Sequence, residues 1–271
     1  MTRPFLETVL FLAACVALPA QWLRYPTPNI PRTADGKPDL SAPTPRTREG
    51  KPDFSGIWGE PRYPRNQGVR APFINIGGWV KGGLPYTPEG KKLVDERSPV
   101  DSKARATEPS VLCLPTGLVY RYYHSLRKIV QLPDLFLILN ERNASFRQVL
   151  MDGRPLPEDP VPTYDGYSVG TWDGDTLVIE SAGFNSGIWL DEAGNPLSEQ
   201  ARITERLRRQ DFGHMTAEIK INDPVMYTKP WTATLPLILN ADTELLVEIC
   251  AEGEKDAIRM QRIRDAQSSA K

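Results

Sequence analysis

The sequence predicts a mainly β fold, an antiparallel up-and-down meander closing into a barrel behind a long irregular N-terminal region. Three observations predict it. From residue 128 onward the chain breaks into short β-rich runs separated by turn residues, with no helical pattern between them. Several of those runs alternate cleanly between apolar and polar residues. The 26 prolines concentrate before residue 116, which places the irregular structure ahead of the regular fold.

The N-terminus has the pattern of an export signal over residues 1–20. Arg3 supplies the positive end, residues 9–18 are all apolar, and Ala20 is a small residue before a cut at Gln21. A cut after Ala17 is the nearby alternative. Leu12-Ala13-Ala14-Cys15 also has the form of a bacterial lipid-attachment signal, which would make Cys15 an anchored first residue. The expected location is therefore periplasmic or secreted, or lipid-anchored at the outer membrane. No later stretch has the ~20 apolar residues of a transmembrane span.

Residues 21–53 read as a Pro-rich linker strapped on the domain surface. They hold a repeat offset by 14 residues, Pro31-Arg-Thr-Ala-Asp-Gly-Lys-Pro-Asp39 and Pro45-Arg-Thr-Arg-Glu-Gly-Lys-Pro-Asp53. Two copies are too few for a solenoid. A single domain over 54–265 follows, opening with a first strand at Gly56-Ile57-Trp58 and carrying an irregular insertion at 59–115. Within it, Thr87 and Pro88 predict a capped helix over 87–97.

Strands are expected near 128–132, 135–142, 145–151, 166–172, 176–183, 202–210, 213–222, 231–239 and 244–251. Asp173-Gly174 has the composition of a type I′ hairpin turn, and Asp211-Phe212-Gly213 makes a second hairpin. Met215, Ala217, Ile219 and Ile221 share one face of their strand; Trp231, Ala233, Leu235, Leu237 and Leu239 share one face of the next. In 202–210 the same reading puts Glu205 inward between Ile203 and Leu207, while Arg202, Arg206 and Arg208 point out. Consecutive hairpins without helices favour a closed barrel, which leaves no exposed edges.

Two resemblances accompany this pattern. Gly56-Ile57-Trp58, the meander and the basic stretch with Arg259, Arg262 and Arg264 resemble the lipocalin (calycin) family. That resemblance implies a lipocalin-like barrel with a tryptophan closing one end under an arginine. Over most of the chain, runs such as Gly50–Trp58, Cys113-Leu-Pro115, Asp152–Pro157, Gly166–Gly170 and Trp172–Glu180 resemble a large family of exported bacterial proteins of unknown function. The resemblance implies no established chemistry; its members tend to carry a histidine where this chain has Leu197.

With 33 basic and 34 acidic residues the chain lacks the electrostatic footprint of a nucleic-acid binder. It has no nucleotide or hydrolase motif, so no cofactor is expected. The sparse histidines and the spacing of Asp191, Glu192 and Asn195 argue against a metal. Cys113 and Cys250 either pair in an oxidising compartment or stay as separate buried thiols. Glu205 is either a general acid or base raised in pKa by burial, or the partner of a barrel arginine such as Arg147. Asp191 is its candidate catalytic companion; a triad of Ser198, His214 and Asp191 has little geometric support. Arg147, Tyr167, Trp172, Trp189, Tyr227 and Trp231, with Tyr164 nearby, are the candidate ligand-binding residues. The leading expectation is an exported protein that binds a small apolar or aromatic molecule in a barrel cavity. The alternatives are a hydrolase, isomerase or cyclase using the buried carboxylates, and a surface assembly component.

Overall fold

The computed structural model describes residues 25–60, 75–97, 107–250 and 262. The expected export signal, the lipid-attachment Cys15, Arg259 and Arg264 lie outside the described residues.

Among the described residues eleven strands follow one another: β1 (Gly56–Gly59), β2 (Arg127–Gln131), β3 (Leu135–Asn140), β4 (Phe146–Leu150), β5 (Tyr167–Asp173), β6 (Thr176–Ala182), β7 (Ile188–Trp189), β8 (Pro196–Leu197), β9 (Arg202–Arg209), β10 (His214–Asn222) and β11 (Trp231–Leu239). Nine of them close a barrel in the order β1-β11-β10-β9-β6-β5-β4-β3-β2, while β7 and β8 form a separate hairpin. Closure falls between β1 and β11, where Trp58 faces Leu239.

Eight of the barrel strands lie where the turn and alternation pattern puts them, and the ninth begins at Gly56. The expected strand at 244–251 does not form. Among the described residues of that segment only Glu248 makes a bridge, to Arg142. The physical reason is that β1 has already taken the free edge of β11. A second correction concerns direction. β4 and β5 run parallel, meeting at Leu150 and Val169. Parallel neighbours need a crossover, and here residues 151–166, with Pro155, Pro157, Pro160 and Pro162, carry the chain back along the outside. The β5–β6 turn also differs from expectation. Asp173 pairs with Thr176, so the turn residues are Gly174 and Asp175, and only Gly174 has positive φ, at 58°. Positive φ at the first central residue alone marks type II′ rather than I′.

The inward faces are the ones that alternation assigns. Met215, Ala217, Ile219 and Ile221 on β10 and the alternate residues Trp231 to Leu239 on β11 are buried. Fully burying each large apolar side chain contributes roughly 1.5–3 kcal/mol. On β4 the usual polarity inverts: Arg147 and Val149 are buried, whereas Phe146 is 59% exposed.

One end of the barrel, the floor, carries the β5–β6 and β9–β10 turns. It is filled by Phe54, whose ring meets Phe136 at 6.2 Å and Trp172 at 5.9 Å. Trp58 donates its indole N–H to the Phe54 carbonyl at 2.9 Å and lies under the Arg209 guanidinium at 4.9 Å. The arginine over the tryptophan is Arg209 of β9; of the C-terminal basic stretch only Arg262 is described, and it is exposed.

The repeat forms two equivalent closed loops on the barrel. In each copy the threonine N–H donates to the lysine carbonyl, Thr33 to Lys37 at 2.9 Å and Thr47 to Lys51 at 2.8 Å. Each arginine also donates to its own loop's glycine carbonyl and to a carboxylate of the domain: Arg32 to Gly36 and Asp242, Arg46 to Gly50 and Asp175.

The other end, the cap, gathers the elements between the strands. Helix α1 (Pro88–Glu96) starts as expected: Thr87 Oγ1 accepts from Gly90 N at 3.1 Å and donates to Val225 O at 2.7 Å. Gly90 is needed there, because a Cβ would stand 2.2 Å from Met226 O. The insertion also contains a 3-10 turn at Ile76–Trp79, and a one-turn helix α2 (Arg121–His124) precedes β2. Cys113 and Cys250 are disulfide-bonded with Cα atoms 5.4 Å apart.

Candidate binding site

Two polar levels interrupt the apolar barrel interior. Glu205 enters from β9 between Ile179 of β6 and Ile219 of β10, and it is completely buried. Alternation forces it inward, so its charge must be met inside. Arg147 reaches across from β4 and meets it twice, Nη1 to Oε1 at 3.1 Å and Nη2 to Oε2 at 2.5 Å. The rest of that guanidinium is engaged by Ser168 Oγ at 3.0 Å and Ser181 Oγ at 2.8 Å, from paired positions on β5 and β6. Tyr122 of α2 donates its hydroxyl to Glu205 Oε1 at 2.7 Å. Burial, followed by the Glu205 charge, pushes the Tyr122 phenol well above its ordinary pKa. Burial acts to lower the Arg147 pKa, but Glu205 outweighs it and the pKa ends above its ordinary value.

Above this pair lies a second arginine level. Arg127, the first residue of β2, is 4% exposed and stacks on the Tyr122 ring at 4.2 Å. Its Nη2 donates to the Arg121 carbonyl at 2.5 Å, and its buried Nε meets no acceptor. No carboxylate among the described residues forms a salt bridge with it, and burial lowers its pKa. Arg121 is paired with Asp165 at 2.7 Å. A cavity of about 20 Å³ opens between these groups, lined by Arg121, Arg127, Arg147 and Asn140 on its polar side and by Ile138 and Leu237 on its apolar side.

The sequence-selected residues fall into four places. Arg147 and Glu205 are together. Trp172 belongs to the aromatic floor with Phe54 and Phe136. Tyr167 is half-buried, its hydroxyl meeting Arg154 at 3.2 Å, and Tyr164 is exposed. Trp189, Tyr227 and Trp231 pack in the cap: Tyr227 meets Trp231 edge-on at 5.3 Å and Tyr86 at 5.7 Å, while Arg97 covers Trp189 at 5.0 Å. None of these aromatics lines the cavity.

Asp191 forms its own network in the loop between β7 and β8. It accepts from the backbone N–H groups of Ile76 at 2.6 Å, Ala193 at 3.0 Å and Asn195 at 3.2 Å, and from the Asn195 amide at 2.6 Å. Burial nevertheless pushes its carboxyl up to about 6. It shares no hydrogen bond with Glu205. Ser198 bonds Asp223 at 2.7 Å in the cap, whereas His214 sits exposed beside Asp211 on the floor. The three members of the considered triad are not assembled. Leu197, at the position of the resembling family's histidine, is buried and pairs with Ile188.

Arg121, Tyr122, Arg127 and Asn140 do not stand out in the sequence. A signal for two of them exists: Arg127 shares a face with Ile129, and Asn140 shares one with Phe136 and Ile138. Arg121 and Tyr122 lie in a single helical turn too short to leave a periodic trace. No model of a known protein family and no curated protein matches the chain.

Proposed function

We propose that this is an exported binding protein whose site is the polar end of the barrel lumen, around Arg127, Arg121 and Asn140, and whose ligand is a small polar molecule. The observation that carries the reading is the cavity at Arg127, bounded by a buried guanidinium with which no carboxylate among the described residues forms a salt bridge. Size decides between ligand classes. A volume of about 20 Å³ exceeds what one water needs but falls far below the ~300–1,000 Å³ of pockets for drug-sized ligands. An aromatic occupant would have to displace core side chains, so the apolar reading yields to a small polar one. The enzyme reading has less support, since both Glu205 oxygens are taken by Arg147 and Tyr122. The signal-like residues 1–20 support export, and a disulfide suits an oxidising compartment.

The test is a thermal-shift screen of the full chain against small anions, amides, alcohols, sugars and aromatics. Saturable stabilisation by a small polar member is expected, because a ligand that binds only the folded state raises stability with concentration. Stabilisation by none of them overturns the reading.

A further inference from the structure

Resting on that binding reading, we infer that the ligand is an anion, a carboxylate of one or two carbons, held by Arg127. The argument starts from charge. Three buried guanidiniums, Arg121, Arg127 and Arg147, surround the cavity, and they face two carboxylates, Asp165 on Arg121 and Glu205 on Arg147. Among the described residues one positive charge is left over, and it belongs to Arg127. A charge taken out of water without a counter-charge is costly, and proteins rarely leave one so. The stacking on Tyr122 and the single bond to the Arg121 carbonyl compensate only in part, since the buried Nε has no acceptor.

Shape points the same way. A guanidinium presents parallel N–H groups that match the two oxygens of a carboxylate. Asn140 borders the same cavity and spends its amide on one long bond, 3.5 Å to Ser145 O. Opposite these donors the wall is Ile129, Ile138, Leu207, Met215 and Leu237, against which a hydrogen or methyl group can rest. The small volume excludes longer chains.

The decisive comparison is between isosteres. Formate and acetate are titrated into the wild-type protein at constant ionic strength beside formamide and acetamide, which have nearly the same shape and no charge, with chloride as a further arm. Saturable thermal stabilisation by formate or acetate, at least tenfold weaker for the amides and for chloride, is expected. In R127Q, checked for folding by circular dichroism, the carboxylate response should weaken at least tenfold, and the unliganded variant should melt no lower than wild type. Should R127Q fail to fold, the isostere comparison in the wild type decides alone. Amides that stabilise as well as carboxylates would overturn the anionic assignment while leaving a small-molecule site in place. Chloride as effective as formate would overturn the carboxylate class. An undiminished carboxylate response in folded R127Q would remove Arg127 from the site. Silence of every compound here would overturn the carboxylate assignment, and the binding reading itself falls only if the wider screen of alcohols, sugars and other anions is silent too.

Discussion

Arg147 and Glu205 meet across the barrel lumen as a doubly hydrogen-bonded ion pair, with Nη1 3.1 Å from Oε1 and Nη2 2.5 Å from Oε2. Glu205 is completely buried and Arg147 nearly so, so each is compensated chiefly by the other. Removing one partner leaves a buried charge uncompensated, at a cost of about 3–5 kcal/mol. E205Q and R147M should each lower the urea midpoint accordingly. The double replacement R147M/E205L should recover part of that loss, because both charges go together and only the Tyr122 and serine bonds remain unmet. A double variant as unstable as the sum of the singles would show that the pair is not a coupled unit.

The Cys113–Cys250 bond joins the insertion to the segment after the last strand across 137 residues of sequence. By the loop-entropy account, cross-links of this span contribute about 2–5 kcal/mol. Melting with and without reductant should show a loss in that range, matched by C113A/C250A. That variant should also expose the segment around Glu248, whose bridge to Arg142 is the remaining strand-like contact there. Faster amide hydrogen exchange at 244–250 than in β11 is the expected signature. Equal melting temperatures with and without reductant would remove the bond from the stability of the fold.

The repeat makes a prediction from its equivalence. Arg32 and Arg46 each tie a loop to a domain carboxylate, Asp242 and Asp175, and both ion pairs are solvent-exposed. Exposed pairs add little to global stability and are screened by salt. R32A and R46A should therefore leave the melting temperature nearly unchanged while accelerating limited proteolysis within 25–53, each at its own loop. High salt should reproduce the effect in the wild type. Cleavage rates that ignore both substitutions would mean that Phe54 and the backbone bonds of Ala42 and Leu40 to the β9–β10 turn hold the strap without the arginines.

The barrel was legible because its signals are local: alternation assigned Glu205, Ile203 and Leu207 inward and Arg206 outward without any knowledge of partners. Pairing topology is not local. Nothing in residues 244–251 says that the short Gly56–Gly59 strand has already closed the sheet, and nothing in the proline run at 151–166 specifies a parallel return. The site was legible by half for the same reason. Glu205 stands out as a carboxylate on an apolar face, and Arg147 is the partner it demands. Arg127 shares a face with Ile129, but at a strand start, where a basic residue ordinarily points into solvent, that signal is faint, and the helical turn of Tyr122 folding over it completes its burial.

Asp191 carries the clearest pH dependence in the cap. Its carboxyl is pushed up to about 6, mainly by burial, although four N–H donors point at it. In the unfolded chain an aspartate titrates near ~3.9. The native state thus holds the proton more tightly, so the stabilisation is fully present below about pH 4 and is lost as the pH rises through about 6. Each tenfold difference in proton affinity between the native and unfolded chain is worth ~1.4 kcal/mol, so the loss attributable to this group approaches about 3 kcal/mol by pH 7. Denaturant melts from pH 4 to 7 should show D191N with a flatter stability profile than the wild type by that amount. D191N should also be less stable at every pH, because its amide turns an N–H toward backbone donors that need an acceptor. A wild-type profile parallel to that of D191N would mean that the four donors have kept the Asp191 carboxylate at its ordinary strength, and that burial in the cap costs it nothing.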